Sequence, residues 1–208
     1  MNERYMLATS QTAIKPLPYF IQRWFVFILS AWALIVVVAG YYGLFSRLPL
    51  PSIGILATIG IVVPIWVYYH YQPFQDYIRS IHPLHLTLFH VWRILAGFTF
   101  LHYGSQNLLP EQFVINAGYG DLAVGFLVPM VLMWKESKNK YILFHIFSLM
   151  DFVGAVGTGL TFTLLQVPLM ENIATFPLVL IPLYGVCVTG ALSWMSLDAL
   201  VRNQNYGN

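Results

Sequence analysis

Residues 19–45 read YFIQRWFVFILSAWALIVVVAGYYGLF, an apolar run of 27 residues broken by a single charge, Arg23. A helix of about 20 residues, rising 1.5 Å per residue, crosses the roughly 30 Å hydrocarbon core of a bilayer. The run has more than that length. A surface helix of a soluble domain would carry a polar face along one side, and this stretch lacks one. Its surroundings are therefore expected to be hydrocarbon on every side.

Working outward, five more stretches read the same way, at about 52–71, 85–108, 119–134, 141–165 and 175–197. Ser46, Pro49 and Pro51 mark the turn between the first two. The fourth is short for a span unless Tyr119 and the residues before it dip into the interface. The sixth contains Pro177 and Pro182, which neighbouring helices accommodate inside a bundle. The expected fold is an all-α polytopic transmembrane helical bundle of about six spans, with residues 1–208 forming one transmembrane domain. Composition agrees: 58% of the 208 residues are hydrophobic and 9% are charged, against roughly a quarter charged in soluble domains. The net charge of +2 comes from scattered groups with no basic stripe, which argues against a nucleic-acid partner and leaves the lipid bilayer as the implied one. Cys187, alone in an apolar run, reads as a small buried hydrophobe.

Lys and Arg near span ends stay on the cytoplasmic side. Arg4, Lys15 and Arg23 flank the first span, Arg79 falls between the second and third, Lys135, Lys138 and Lys140 between the fourth and fifth, and Arg202 after the sixth. The other loops hold Arg47 as their one Lys or Arg, with Glu111 and Glu171. Both termini are expected in the cytoplasm, and the membrane is expected to be the bacterial inner one. The first 18 residues lack an apolar core of signal-peptide length, so no cleaved leader is expected. Phe74, Tyr77, Ile78 and Ile81 recur at helical spacing within Pro73–His82, which predicts a short amphipathic helix on the membrane surface. Leu109–Phe113 predicts a helical turn in an outer loop, followed by Ala117-Gly118-Tyr119-Gly120-Asp121.

Ionisable groups deep in a span are costly and therefore informative. Arg93 lies about nine residues, roughly 14 Å, into the third span, and Asp151 about ten residues into the fifth from the same side. Their equal depth predicts a mutual ion pair, with His90 beside it. His90, Arg93, Gly97 and Gly104 share one helical face; Asp151, Gly154, Thr158 and Thr161 share another, and both faces are expected to pack inward. This centre has two readings, a pair that only fixes the bundle or one that lines a substrate, proton or cofactor site. His90 and His145, on different spans at similar depth, are candidate axial ligands of a b-type haem. Against this, His145 lies about 120° around its helix from Asp151, so one orientation is not expected to aim both at the third span. His102, Asp121 and Glu111 are expected to form an outer polar cluster, with Asp121 capping the start of the fourth span. His70, His82 and His85 are expected at the interface in no metal-binding spacing. Gly154–Gly159 reads GAVGTG but lacks the strand and Lys of a phosphate loop.

The stretch from Arg93 to Pro129 reads Arg-x3-Gly-Phe-x-Phe-Leu, then Leu-Pro-x2-Phe, then Ala-Gly-x-Gly-Asp-x3-Gly-Phe-Leu-x-Pro. It resembles a group of uncharacterised bacterial six-span membrane proteins, a resemblance that brings no activity. Arg93 to Gly104 is also similar to the Arg-Gly-Phe-Leu-Gly helix of DoxX-like proteins. That resemblance implies quinone-coupled redox work, although DoxX-like proteins have four spans. Three functional expectations follow. The first is a small-solute or proton-coupled carrier built on the Arg93–Asp151 centre. The second is a redox subunit binding haem or quinone, and the third a non-catalytic bundle that forms a homo-oligomer or docks in a larger membrane complex.

Overall fold

A computed structural model describes residues 19–202 of the chain. Arg4 and Lys15 lie outside the described residues. Seven helices follow in order: α1 (Tyr19–Tyr41), α2 (Pro51–His70), the short α3 (Gln72–Ser80), α4 (Pro83–Ser105), α5 (Glu111–Met133), α6 (Lys138–Leu164) and α7 (Ile181–Arg202). All but α3 are long and apolar enough to cross a membrane, and no strand occurs among the described residues. The outer surface is apolar, with Leu34, Ile35, Val62, Leu95 and Val153 all more than half exposed. Such a surface has no place in water. The chain is an integral membrane protein with an all-α bundle fold.

Local chemistry explains the helix ends. Gly43, at φ +67°, closes α1 through a bond from the Leu44 N–H to the Ala39 carbonyl at 2.9 Å, a left-handed turn that favours glycine. Pro51, Pro73 and Pro83 open α2, α3 and α4, where a missing N–H costs no intrahelical bond. Two boundaries differ from the sequence expectation. The fourth span begins at Glu111 and not near Tyr119, because the segment read as an outer loop continues the helix through a π-helical turn at Val114–Tyr119. The sixth begins at Ile181, after Met170–Ala174 forms a tight 3-10 turn. Pro177 and Pro182 supply no N–H, so the helix starts with Pro182 in its first turn.

Alternation of the helices sorts the connections onto two sides. On the far side, Ser46 donates to the Ala174 carbonyl at 3.1 Å and Asn172 to the Leu108 carbonyl at 2.8 Å, which ties three loops together. On the α3 side, Asp198 of α7 accepts from Tyr68 at 2.8 Å, Tyr69 at 3.2 Å and Arg79 at 3.4 Å. Phe74 and Tyr77 of α3 pack beside Phe25 of α1, and Ile78 is fully buried. Also on this side, the Lys140 ammonium sits 2.8 Å from Glu136 and holds that carboxyl below its ordinary range.

Glycines set the closest helix approach. A Cβ on Gly97 would lie 2.7 Å from the Gly118 carbonyl, and one on Gly125 would lie 2.9 Å from the backbone nitrogen of Ile94. Helices α4 and α5 therefore meet backbone to backbone, which is how small residues bring membrane helices together. The second predicted stripe behaves differently. On α6, Gly154 and Thr161 face outward, while Ser148, Phe152 and Thr163 face the core. The inward face of α6 is thus rotated from the expected one, and Asp151 sits at its rim.

Candidate functional site

The α4–α5 contact places Arg93 against α5. Its Nε donates to Asp121 Oδ1 at 2.5 Å, its Nη1 to Ser148 Oγ at 3.1 Å, and its Nη2 to Asp151 Oδ2. The guanidinium carbon also lies 4.4 Å from the centre of the Phe152 ring, a cation–π arrangement. The side chains of Arg93, Asp121 and Asp151 are 1%, 6% and 10% exposed, so the cluster belongs to the protein interior and not to the lipid face. One guanidinium thus faces two carboxylates from two helices. With both ionised, the cluster carries one unbalanced negative charge in a low-dielectric setting, which is costly unless a proton or a cation offsets it.

A chain of hydrogen bonds leaves this centre toward the α3 side. Ser148 Oγ lies 3.3 Å from His90 Nδ1, His90 Nε2 lies 3.1 Å from Ser193 Oγ, and Ser193 lies 3.4 Å from His145 Nδ1. All four residues are fully buried. Hydroxyls and imidazoles in one connected line are both donors and acceptors, the property a proton relay needs.

The sequence brought Arg93, Asp151 and His90 together, and the structure places them in one cluster. Asp121 departs from expectation. It joins neither His102 nor Glu111, both exposed at the far end, and does not cap a helix. Because α5 starts at Glu111, Asp121 lies ten residues, about 15 Å, inside the span, at the depth of Arg93. His102 instead has Gln106 as neighbour, at 3.2 Å. The expected conflict between His145 and Asp151 is also absent. Helix α6 packs in the angle between α4 and α7, so His145 meets His90, ring centres 5.7 Å apart, while the length of the Arg93 side chain spans the remaining arc to Asp151.

Axial ligation of haem requires one free nitrogen on each imidazole, aimed at the iron. Both nitrogens of His90 are engaged by Ser148 and Ser193, and the two rings touch edge to face, so the pair does not fit a haem. The purified protein is expected to be colourless; a Soret band that disappears in His90→Ala would overturn this. No group of three or more metal-ligating side chains occurs among the described residues.

The cluster opens on a cavity of about 70 Å³, bounded by Arg93 and Asp121 at one end and by Phe100, Phe113, Phe152 and Met170 along its walls. Room of this size admits several waters or a compact organic group. Sequence reasoning did not find Ser148 and Ser193. For Ser148 a signal was present, since it stands three residues after His145 and three before Asp151, between the two directions in which those side chains leave the helix.

Residues 50–201 match a family described as a domain of unknown function (DUF8737). The chain belongs to the DUF8737 family. The matched region begins at α2 and takes in the whole cluster, the relay and the cavity, whereas α1 lies outside it and is largely exposed. No curated protein and no solved structure matches this DUF8737 chain.

Proposed function

We propose that this DUF8737 protein is a proton-coupled carrier of a small, mostly apolar solute in the bacterial cytoplasmic membrane. The carrying observation is the single Arg93 guanidinium shared by Asp121 and Asp151 at the end of an apolar cavity. The unbalanced carboxylate charge is neutralised either by a proton or by the cationic or hydrogen-bond-donating end of a solute, an amine above all. Mutual exclusion of the two at one site couples their movements. Apolar walls of Phe, Met and Ile favour a compact hydrocarbon body. The α3 side carries Arg79, Lys135, Lys138, Lys140 and Arg202 and the far side Arg47, which supports a cytoplasmic α3 side and cytoplasmic termini.

The test is proton movement out of proteoliposomes loaded with a pH-sensitive dye, acidic inside, with a panel of small lipophilic amines outside. Wild type is expected to move protons in exchange for at least one amine. Asp121→Asn and Asp151→Asn are each expected to lower the rate at least tenfold while eluting as wild type does. Flux no greater than empty liposomes, or variants at wild-type rates, would remove the proposal.

A further inference from the structure

Below the Ser148–His90–Ser193 tier lies a second tier of polar atoms displaced by the same step on each helix. Thr87 stands three residues before His90 on α4, His145 three before Ser148 on α6, and Ser196 three after Ser193 on α7. Helices α4 and α6 run away from the α3 side and α7 runs toward it, so all three steps point to the α3 side, by roughly 5 Å. The two tiers differ in one respect. Members of the first bond to each other, whereas Thr87 Oγ1, His145 Nε2 and Ser196 Oγ are buried with no hydrogen-bond partner among the described residues. Each is at most 1% exposed. Three orphan polar atoms on three packed helices would cost several kcal/mol if left dry. A buried water typically makes about three hydrogen bonds to such groups.

A separate cavity of about 140 Å³ on the α3 side meets this tier at one member, Ser196. It is lined by Arg79, Ser80 and His82 near the interface and by Leu86, Ser196 and Ala199 deeper in. Ser196 therefore belongs to both the cavity wall and the orphan tier.

We infer that water enters from the α3 side through this cavity and occupies the tier of Thr87, His145 and Ser196, forming the access path by which protons reach the Arg93 centre. The path rests on the carrier reading for its purpose but not for its existence. A proton hops from water to His145, on to Ser193, His90 and Ser148, the last of which Arg93 Nη1 holds at the edge of the centre, and a water between Ser148 and the carboxylates completes the passage. Each group releases one proton as it accepts the next, so no group changes its net protonation over a full passage. The titratable groups facing the path are His82 and Arg79 at its mouth, His145 and His90 within it, and Asp121 and Asp151 at its end.

The test places a reporter thiol on the path in a Cys187→Ala background. Ser196→Cys and Ala199→Cys, reconstituted in liposomes, are treated with a membrane-impermeant trimethylammonium methanethiosulfonate. Leu143→Cys, two residues before His145 and lipid-facing, is the control. Both cavity thiols are expected to be labelled at least tenfold faster than the control, and Ser196→Leu is expected to cut proton flux at least tenfold. Labelling of Ala199→Cys reports on the path even where Ser196→Cys does not fold. Cavity thiols no faster than the control would overturn the path, as would Ser196→Leu moving protons at the wild-type rate. Rapid labelling in a protein that moves no protons would keep the path and sink the carrier reading.

Discussion

Replacing Arg93 by alanine is expected to destabilise the detergent-solubilised protein by about 3–5 kcal/mol, read as a fall in the thermal unfolding midpoint followed by tryptophan fluorescence. The magnitude follows from what is left behind. Asp121 and Asp151 would keep their places in the interior with no cation between them, and Ser148 would lose a donor. Removing one partner of a buried ionic group is far more costly than removing the whole group. A variant combining Arg93→Met, Asp121→Asn and Asp151→Asn is therefore expected to recover most of the lost stability. It is also expected to move no protons. That divergence separates a working centre from a mere staple: if the neutral variant folded and still carried protons, the cluster would be architecture only. An Arg93→Ala protein melting with wild type would refute the electrostatic argument itself.

Six spans could be read from the chain because a bilayer imposes a length and a polarity that no local propensity overrides. Runs such as 19–45 and 141–165 carry that signal along most of their length. The Arg93–Asp151 relation was legible for the same reason, since two charges at equal depth have few other places to go. What escaped was the segment before Asp121. Gly118 and Gly120 read as a loop by ordinary turn chemistry, yet inside a membrane protein they serve close helix approach, Gly118 against Gly97. Once the helix start is moved from Tyr119 to Glu111, Asp121 shifts from an interfacial cap to a third member of the centre. The misjudged face of α6 has a different origin. Small residues and threonines in a span favour an inward face, but this helix packs with Phe152 and Ser148 turned in, and Gly154 meets nothing within 4 Å. Periodicity identifies which residues share a face, and only the neighbours decide where that face points.

Gly120→Ala is expected to disrupt the centre without touching a charge. A Cβ at this position would coincide with the Asp151 carboxylate, whose Cγ would lie 3.0 Å away. Gly120 is thus the slot in α5 that lets Asp151 lie beside Asp121 and reach Arg93. By helix propensity alone the substitution should stabilise by about 1 kcal/mol. Here overpacking is expected to win, for a net loss of about 1–3 kcal/mol, because the carboxylate is pinned by Arg93 and cannot swing aside without breaking that bond. Proton flux should fall with it, as Asp151 is pushed toward the rim of α6. The sign should reverse in an Asp151→Ala background, where the slot is empty and Gly120→Ala should be neutral or stabilising. A double-mutant cycle on unfolding midpoints measures this coupling directly. Equal effects of Gly120→Ala in both backgrounds would mean that Asp151 does not occupy the slot, and the three-residue geometry of the centre would have to be redrawn around Arg93 and Asp121 alone.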